Sequence, residues 1–221
     1  MSSFNMHIAI SKKIKEEFSF GEEFIFGVVL PDLYKTILKD KTITHFERKI
    51  GEKCLPDIEK FCYEFKNKKT EIVYGYLAHL VQDTIWFVQY INKKYAKEIE
   101  NGKYYKYIKD NTIHKVQEYV TDIYTDYTII DKYLEEKYNL NKKEKNKKLK
   151  ETVIKSKSIK EKDEVINVIN KKIIDYSDKY NINQSITFFT KEDADEYYKI
   201  ALEETRNVLI DFMKNKKISN L

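Results

Sequence analysis

Between Ile72 and Ile91 apolar residues run almost all the way round a helical period; from Glu71 the stretch reads EIVYGYLAHLVQDTIWFVQYI. That pattern predicts a buried helix rather than an amphipathic one on the surface. Two ionisable residues interrupt it, His79 and Asp83, four apart and therefore on one face. Gly75 precedes His79 by the same step and leaves room for something to approach that face. A buried carboxylate has to be paired, hydrogen-bonded or metal-bound, because leaving it isolated costs several kcal/mol or more. A metal would compensate both groups together, and a plain Asp–His hydrogen bond would serve equally well.

The remaining pattern is also mostly helical. Asn5 to Phe18 spaces Ile8, Ile10, Ile14 and Phe18 along one segment, with His7 near its start. After a turn at Ser19 to Gly21, the apolar run EFIFGVVLPD is expected to end at Pro31, and Pro31–Asp32 to open a new helix through about Leu38. Residues 40–49, DKTITHFERK, read as a loop delivering His45, and 55–65 as a short amphipathic helix with Pro56 at its start. Asn101–Gly102 marks a turn. Tyr104 to about Tyr138 is then expected to be one helix, with a stripe of Ile113, Val116, Val120, Ile123, Tyr127 and Ile130. A Lys-rich connector or exposed helix follows at 141–162, a helix near 162–180, and the loop NINQSITFF. Thr190 with Glu192 and Asp193 starts a last helix to about Met213. With no internal repeat, the expectation is one all-α domain over 1–221, a compact bundle of six to eight helices.

Composition supports a folded helical chain: 42% hydrophobic residues, 18 Tyr and 12 Phe, with only 5 Gly and 2 Pro as punctuation. No signal-like apolar region stands at the start, charges begin at Lys12, and His79, Gln82 and Asp83 break the central run as a membrane span. Cys54 and Cys62 form no ligand pattern or disulfide framework. A cytoplasmic protein is expected. The net charge of +5 is local, since ten Lys against three Glu in 141–162 leave the rest of the chain at about −2. A near-neutral body does not favour nucleic acid as a partner.

The candidate chemistry rests on four histidines: His7, His45, His79 and His114. Two have a carboxylate at the fourth position onward, Asp83 and Glu118. Glu118 falls nearly opposite the 113–130 stripe, so a solvated helix face accounts for it as well as a ligand role does. His7 could be a surface or capping residue, Asp32 could complement a helix dipole, and His45 could be an exposed loop residue.

Their order says more than any one of them. HIA, then GVVLPD, then THF, then YGYLAHLVQD resembles the zinc-dependent phospholipase C superfamily, which also contains the fungal single-strand-specific nucleases. The resemblance covers residues 5–131. It implies an all-α fold of that type and metal ligands at His7, Asp32, His45, His79 and Asp83. IYTDYTIIDKYL resembles a stretch of bacterial intracellular relatives in which Asp126 matches an acidic position, a supporting acid. Secreted members use a mature N-terminal Trp as a ligand, whereas this chain begins MSSFNM. They also place a further His soon after the His-x-x-x-Asp pair, whereas Gln89 and Tyr90 stand in that neighbourhood here. His114 and Glu118 match a later His-x-x-x-Glu pair in spacing. The implied cofactor is Zn²⁺, one to three ions, with Mn²⁺ or Fe²⁺ as substitutes. Asp32, His45, His79 and Asp83 would form one site, with His7 holding a second metal that Asp83 bridges.

The resemblance implies a hydrolase of phosphate esters, phospholipase C-like or nuclease-like, in which a metal-bound hydroxide attacks and Asp32 orients or deprotonates the water. The partners would be a small phosphodiester or a phospholipid head group, with peripheral membrane contact. The competing reading is a non-catalytic helical binding protein that retains a structural metal or a buried polar cluster. An HD-type phosphohydrolase needs an adjacent His-Asp pair, and none exists.

Overall fold

The computed structural model describes residues 3–50, 53–100, 102–140, 142–155, 162–172, 185–219 and 221. Among these, nine α-helices, one π-helical segment and five short strands occur, so the chain is all-α in class. Helix α1 (Phe4–Phe18) begins at Ser3, whose hydroxyl accepts from the Met6 amide.

Helix α2 (Glu22–Leu38) runs unbroken through Pro31. The expected break there does not occur. An interior proline removes one amide bond and costs roughly 3 kcal/mol, but Phe24 to Pro31 is buried throughout. That burial offsets the lost bond. The surface that buries it is α5 (Glu71–Ile85), capped by Thr70. A Cβ on Gly27 would lie 2.2 Å from the Ile72 carbonyl oxygen, and one on Gly75 2.0 Å from that of Phe24. The two backbones touch. What approaches the Gly75 face is therefore helix α2, which brings Asp32 towards His79 and Asp83. A π-helical segment, Trp86–Tyr95, continues α5.

Residues 40–49 are not a plain loop. Asp40 caps a single turn, α3 (Lys41–Thr44), with His45 at its C-cap. The chain then enters an antiparallel hairpin, β1 (Glu47–Ile50) with β2 (Lys53–Pro56), in which Glu47 pairs with Pro56. Pro56 closes that strand, and Asp57 rather than Pro56 starts α4 (Ile58–Phe65), its carboxylate accepting from the Lys60 amide.

The expected helix from Tyr104 is also corrected. Strands β3 (Ala96–Ile99), β4 (Tyr104–Tyr107) and β5 (Ile113–Lys115) form an antiparallel sheet in that order, and α6 spans only Val116–Lys137. Tyr105, Lys106 and Tyr107 alternate with the period of a strand. Tyr107 is buried and Tyr105 stacks on Tyr119 at 3.9 Å. Ile113 consequently leaves the helical stripe and is 61% exposed, while Ile123, Tyr127 and Ile130 stay in the core.

Helices α7 (Lys142–Lys155) and α8 (Lys162–Lys172) occupy the Lys-rich stretch and the start of the next predicted helix. Leu149 and Val153 of α7 are buried. Residues 141, 156–161 and 173–184, including the rest of the helix expected to 180, lie outside the described residues. Helix α9 (Lys191–Met213) starts at the predicted Thr190, which forms a capping box with Asp193. Arg206 of α9 forms a two-pronged pair with Glu17 of α1 at 2.8 and 2.9 Å. Among the described residues no helix is long and apolar enough to cross a membrane.

Candidate metal centre

Five predicted residues meet at one place. His7 comes from α1, Asp32 from α2, His45 from the end of α3, and His79 and Asp83 from successive turns of α5. His7 Nε2 lies 3.4 Å from Asp83 Oδ1, and His79 Nε2 lies 3.5 Å from Asp83 Oδ2. His45 Nε2 is 3.4 Å from Asp32 Oδ1, 3.8 Å from Asp83 Oδ2 and 3.3 Å from His79 Nε2. The His7 and His79 rings stack at 4.1 Å. Asp32 alone of the five has an appreciably exposed side chain, at 23%, so the cluster opens towards solvent on its side.

The groups around the cluster decide which nitrogens carry protons. His7 Nδ1 faces Gln82 Oε1 at 2.7 Å. That oxygen only accepts, so Nδ1–H donates and the Nε2 of neutral His7 is a bare lone pair. Gln82 is itself held by donating from Nε2 to Ser11 Oγ at 3.3 Å, and its backbone carbonyl accepts from the Tyr197 hydroxyl at 2.9 Å. His45 Nδ1 lies 3.0 Å from Thr44 Oγ1, whose hydroxyl already donates to the Asp40 carbonyl. His45 Nδ1–H therefore donates as well, and its Nε2 lone pair also points inward. Tyr76 donates to the Thr44 carbonyl and steadies this turn.

The charges follow the same logic. Burial, with His79 beside it, pushes the His7 imidazole below its ordinary pKa despite the pull of Asp83. Burial alone would raise Asp32, but the imidazoles of His45 and His79 outweigh it and hold the carboxyl well below the usual range. Asp83 is likewise lifted by burial and brought far below by the positive charge around it and by hydrogen bonding from His79. Two ionised carboxylates and the lone pairs of His7 and His45 thus converge, and among the described residues only His79 Nε2 is left to supply a proton between them. One His79–Asp83 hydrogen bond leaves the other pairs facing each other as acceptors. Among the described residues, Asp32 Oδ1 and His79 Nδ1 are buried with no hydrogen-bond partner.

A cation fits this set. Ligands about 2.0–2.2 Å from one zinc ion lie roughly 3.3–3.6 Å apart at tetrahedral angles, which spans the 3.3, 3.4 and 3.5 Å separations found here. Two overlapping groups could each hold an ion, His7–His79–Asp83 and Asp32–His45–His79.

The other predicted site residues fall elsewhere. His114 lies in β5, stacked on Tyr107 at 3.9 Å and 2.7 Å from Thr112 Oγ1. Glu118 is 3.6 Å from it, but its carboxylate accepts from the Lys115 amide and caps α6. Neither belongs to the two ion-holding groups among the described residues. Asp126 is buried and accepts three backbone amides, from Thr187 at 2.8 Å, Phe188 at 2.6 Å and Phe189 at 2.9 Å. Burial still raises its pKa against those three bonds. Its observed work is to anchor the approach to α9. The tautomer-setting residues Gln82, Ser11 and Thr44 are not among the predicted site residues; the available signal is a glutamine on a run otherwise apolar but for His79 and Asp83.

A family model described as zinc dependent phospholipase C matches residues 6–183 of the chain. No curated protein and no solved structure matches it.

Proposed function

Because the chain belongs to the zinc-dependent phospholipase C family, we propose that it hydrolyses a phosphodiester with zinc held by His7, Asp32, His45, His79 and Asp83. The observation that carries the reading is the convergence of ionised carboxylates and inward-facing imidazole lone pairs with almost no proton to share. Asp32, His45 and His79 with Asp83 Oδ2 would hold one ion. His7 with Asp83 Oδ1 would hold a second, with Asp83 shared between the two. Mn²⁺ or Fe²⁺ would be tolerated by the same donors.

Zinc bound there supplies a Lewis acid for the phosphoryl oxygens and lowers the pKa of bound water to about 7. The chain's residues do the rest. Gln82 and Thr44 keep the donor nitrogens of His7 and His45 unprotonated and correctly turned. Asp32, ionised and on the open side, orients the attacking water. A small phosphodiester or a phospholipid head group can approach that side.

Metal analysis of purified protein and turnover of bis-p-nitrophenyl phosphate test the reading together. Zinc is expected in at least equimolar amount, with both zinc and turnover lost in Asp83→Asn. A folded Asp83→Asn protein that keeps its metal and its turnover overturns it.

A further inference from the structure

Away from the metal centre, a cavity of about 1030 Å³ lies between the β1–α4 region and the end of α9. Six of its lining residues are cationic: Arg48, Lys60, Lys66, Lys69, Lys216 and Lys217. Only Asp57 and Glu59 oppose them among the described lining residues, and no metal-centre residue is shared. Asp57 is already engaged as the cap of α4. Lys60 and Lys216 reach carboxylates, Glu64 at 3.9 Å and Asp211 at 2.8 Å, on partly exposed surface where such pairs are weak. Lys66 rests over the Tyr63 ring at 4.5 Å, and Lys69 sits 3.7 Å over the Phe212 ring, donating to that residue's carbonyl.

Arg48 gives the cavity its direction. Among the described residues its Nε is buried and has no hydrogen-bond partner, and a guanidinium donor left without an acceptor is costly. A concave wall with one sign of charge concentrates the opposite sign, and arginine with lysine around it suits phosphate oxygens. We propose that this cleft is a second, non-catalytic site that binds a phosphate group, with Arg48 and Lys69 at its floor and Lys66 and Lys217 at its rim. Burial lowers the Lys69 pKa, which is consistent with a charge short of solvation that an anion would stabilise. Tyr63, Phe212 and Ile218 add apolar surface beside the charges, suited to the organic part of a phosphate ester. This proposal stands whether or not the metal centre is catalytic.

The phosphate could be free or part of a lipid head group, and two measurements on the full holoprotein separate these sources. One is calorimetric titration with inorganic phosphate. The other is co-sedimentation with phosphatidylglycerol–phosphatidylcholine vesicles against vesicles of phosphatidylcholine alone. Arg48→Gln with Lys69→Gln is expected to weaken binding at least tenfold. Lys66→Glu with Lys217→Glu should do the same, and since both side chains are exposed that pair leaves the core untouched. Phosphate binding that responds to these changes without vesicle binding identifies free phosphate. Anionic-vesicle binding that responds to them identifies the head group. Phosphate and vesicle binding both unaltered by Lys66→Glu with Lys217→Glu overturns the proposal.

Discussion

The Nε2 atoms of His45 and His79 face each other at 3.3 Å, an approach that two neutral imidazoles tolerate only if a proton or a cation lies between them. A proton on His79 would satisfy this one pair. It would leave the bare His7 nitrogen 3.4 Å from an ionised Asp83 oxygen. One proton therefore cannot satisfy the centre, and its five side chains depend on one another.

Removing the ion should destabilise the fold. A ligand present at about a thousand times its dissociation constant stabilises the native state by about 4 kcal/mol. Chelator treatment is expected to lower Tm by several degrees, and added zinc to restore it. An unchanged melting curve after verified metal removal would contradict this.

Gln82→Met removes the acceptor of His7 Nδ1–H while keeping the volume. Loss of such an orienting partner typically costs 10–100-fold in metal affinity. Competition with a chromogenic chelator should show that drop with the far-ultraviolet circular dichroism unchanged. Equal affinity would show that the His7 tautomer is set by something else.

Gly75→Ala should be among the most damaging small changes in the chain. Its methyl group would sit 2.0 Å from the Phe24 carbonyl oxygen, forcing α2 and α5 apart. A loss of about 4 kcal/mol or more is expected from urea unfolding, together with weaker zinc binding because Asp32 moves with α2.

The two thiols should differ sharply. Cys54 is exposed, while Cys62 is buried and burial pushes its pKa up to about 12. At pH 8 the Cys62 thiolate is then a fraction on the order of one in ten thousand. Ellman's reagent should titrate one thiol quickly in native protein and the second only after unfolding.

What could be read ahead of the structure was local. The α5 stripe with His79 and Asp83, and the Thr190 start of α9, are signals contained within a turn or two of helix. Pro31 misled because the rule about proline is local too, whereas the contact with α5 that keeps α2 intact comes from residues forty or more positions away. The Tyr104–Lys115 sheet was hidden because strands of three or four residues are too short for alternation to outweigh a helical neighbour. Gln82 carried no local cue to its partner, since His7 lies 75 residues earlier.

The same long reach gives the centre a second consequence. Its donors come from α1, α2, the end of α3 and α5, so ions held by them together join four separated points of one chain. Both cysteines are free, and nothing covalent limits how far the unfolded polypeptide can spread. A bound ion would act as a reversible multi-way cross-link, closing several long loops at once and shrinking the unfolded ensemble where unpaired thiols cannot. Zinc supply would then govern how long the chain survives against proteolysis as well as whether it can turn over substrate.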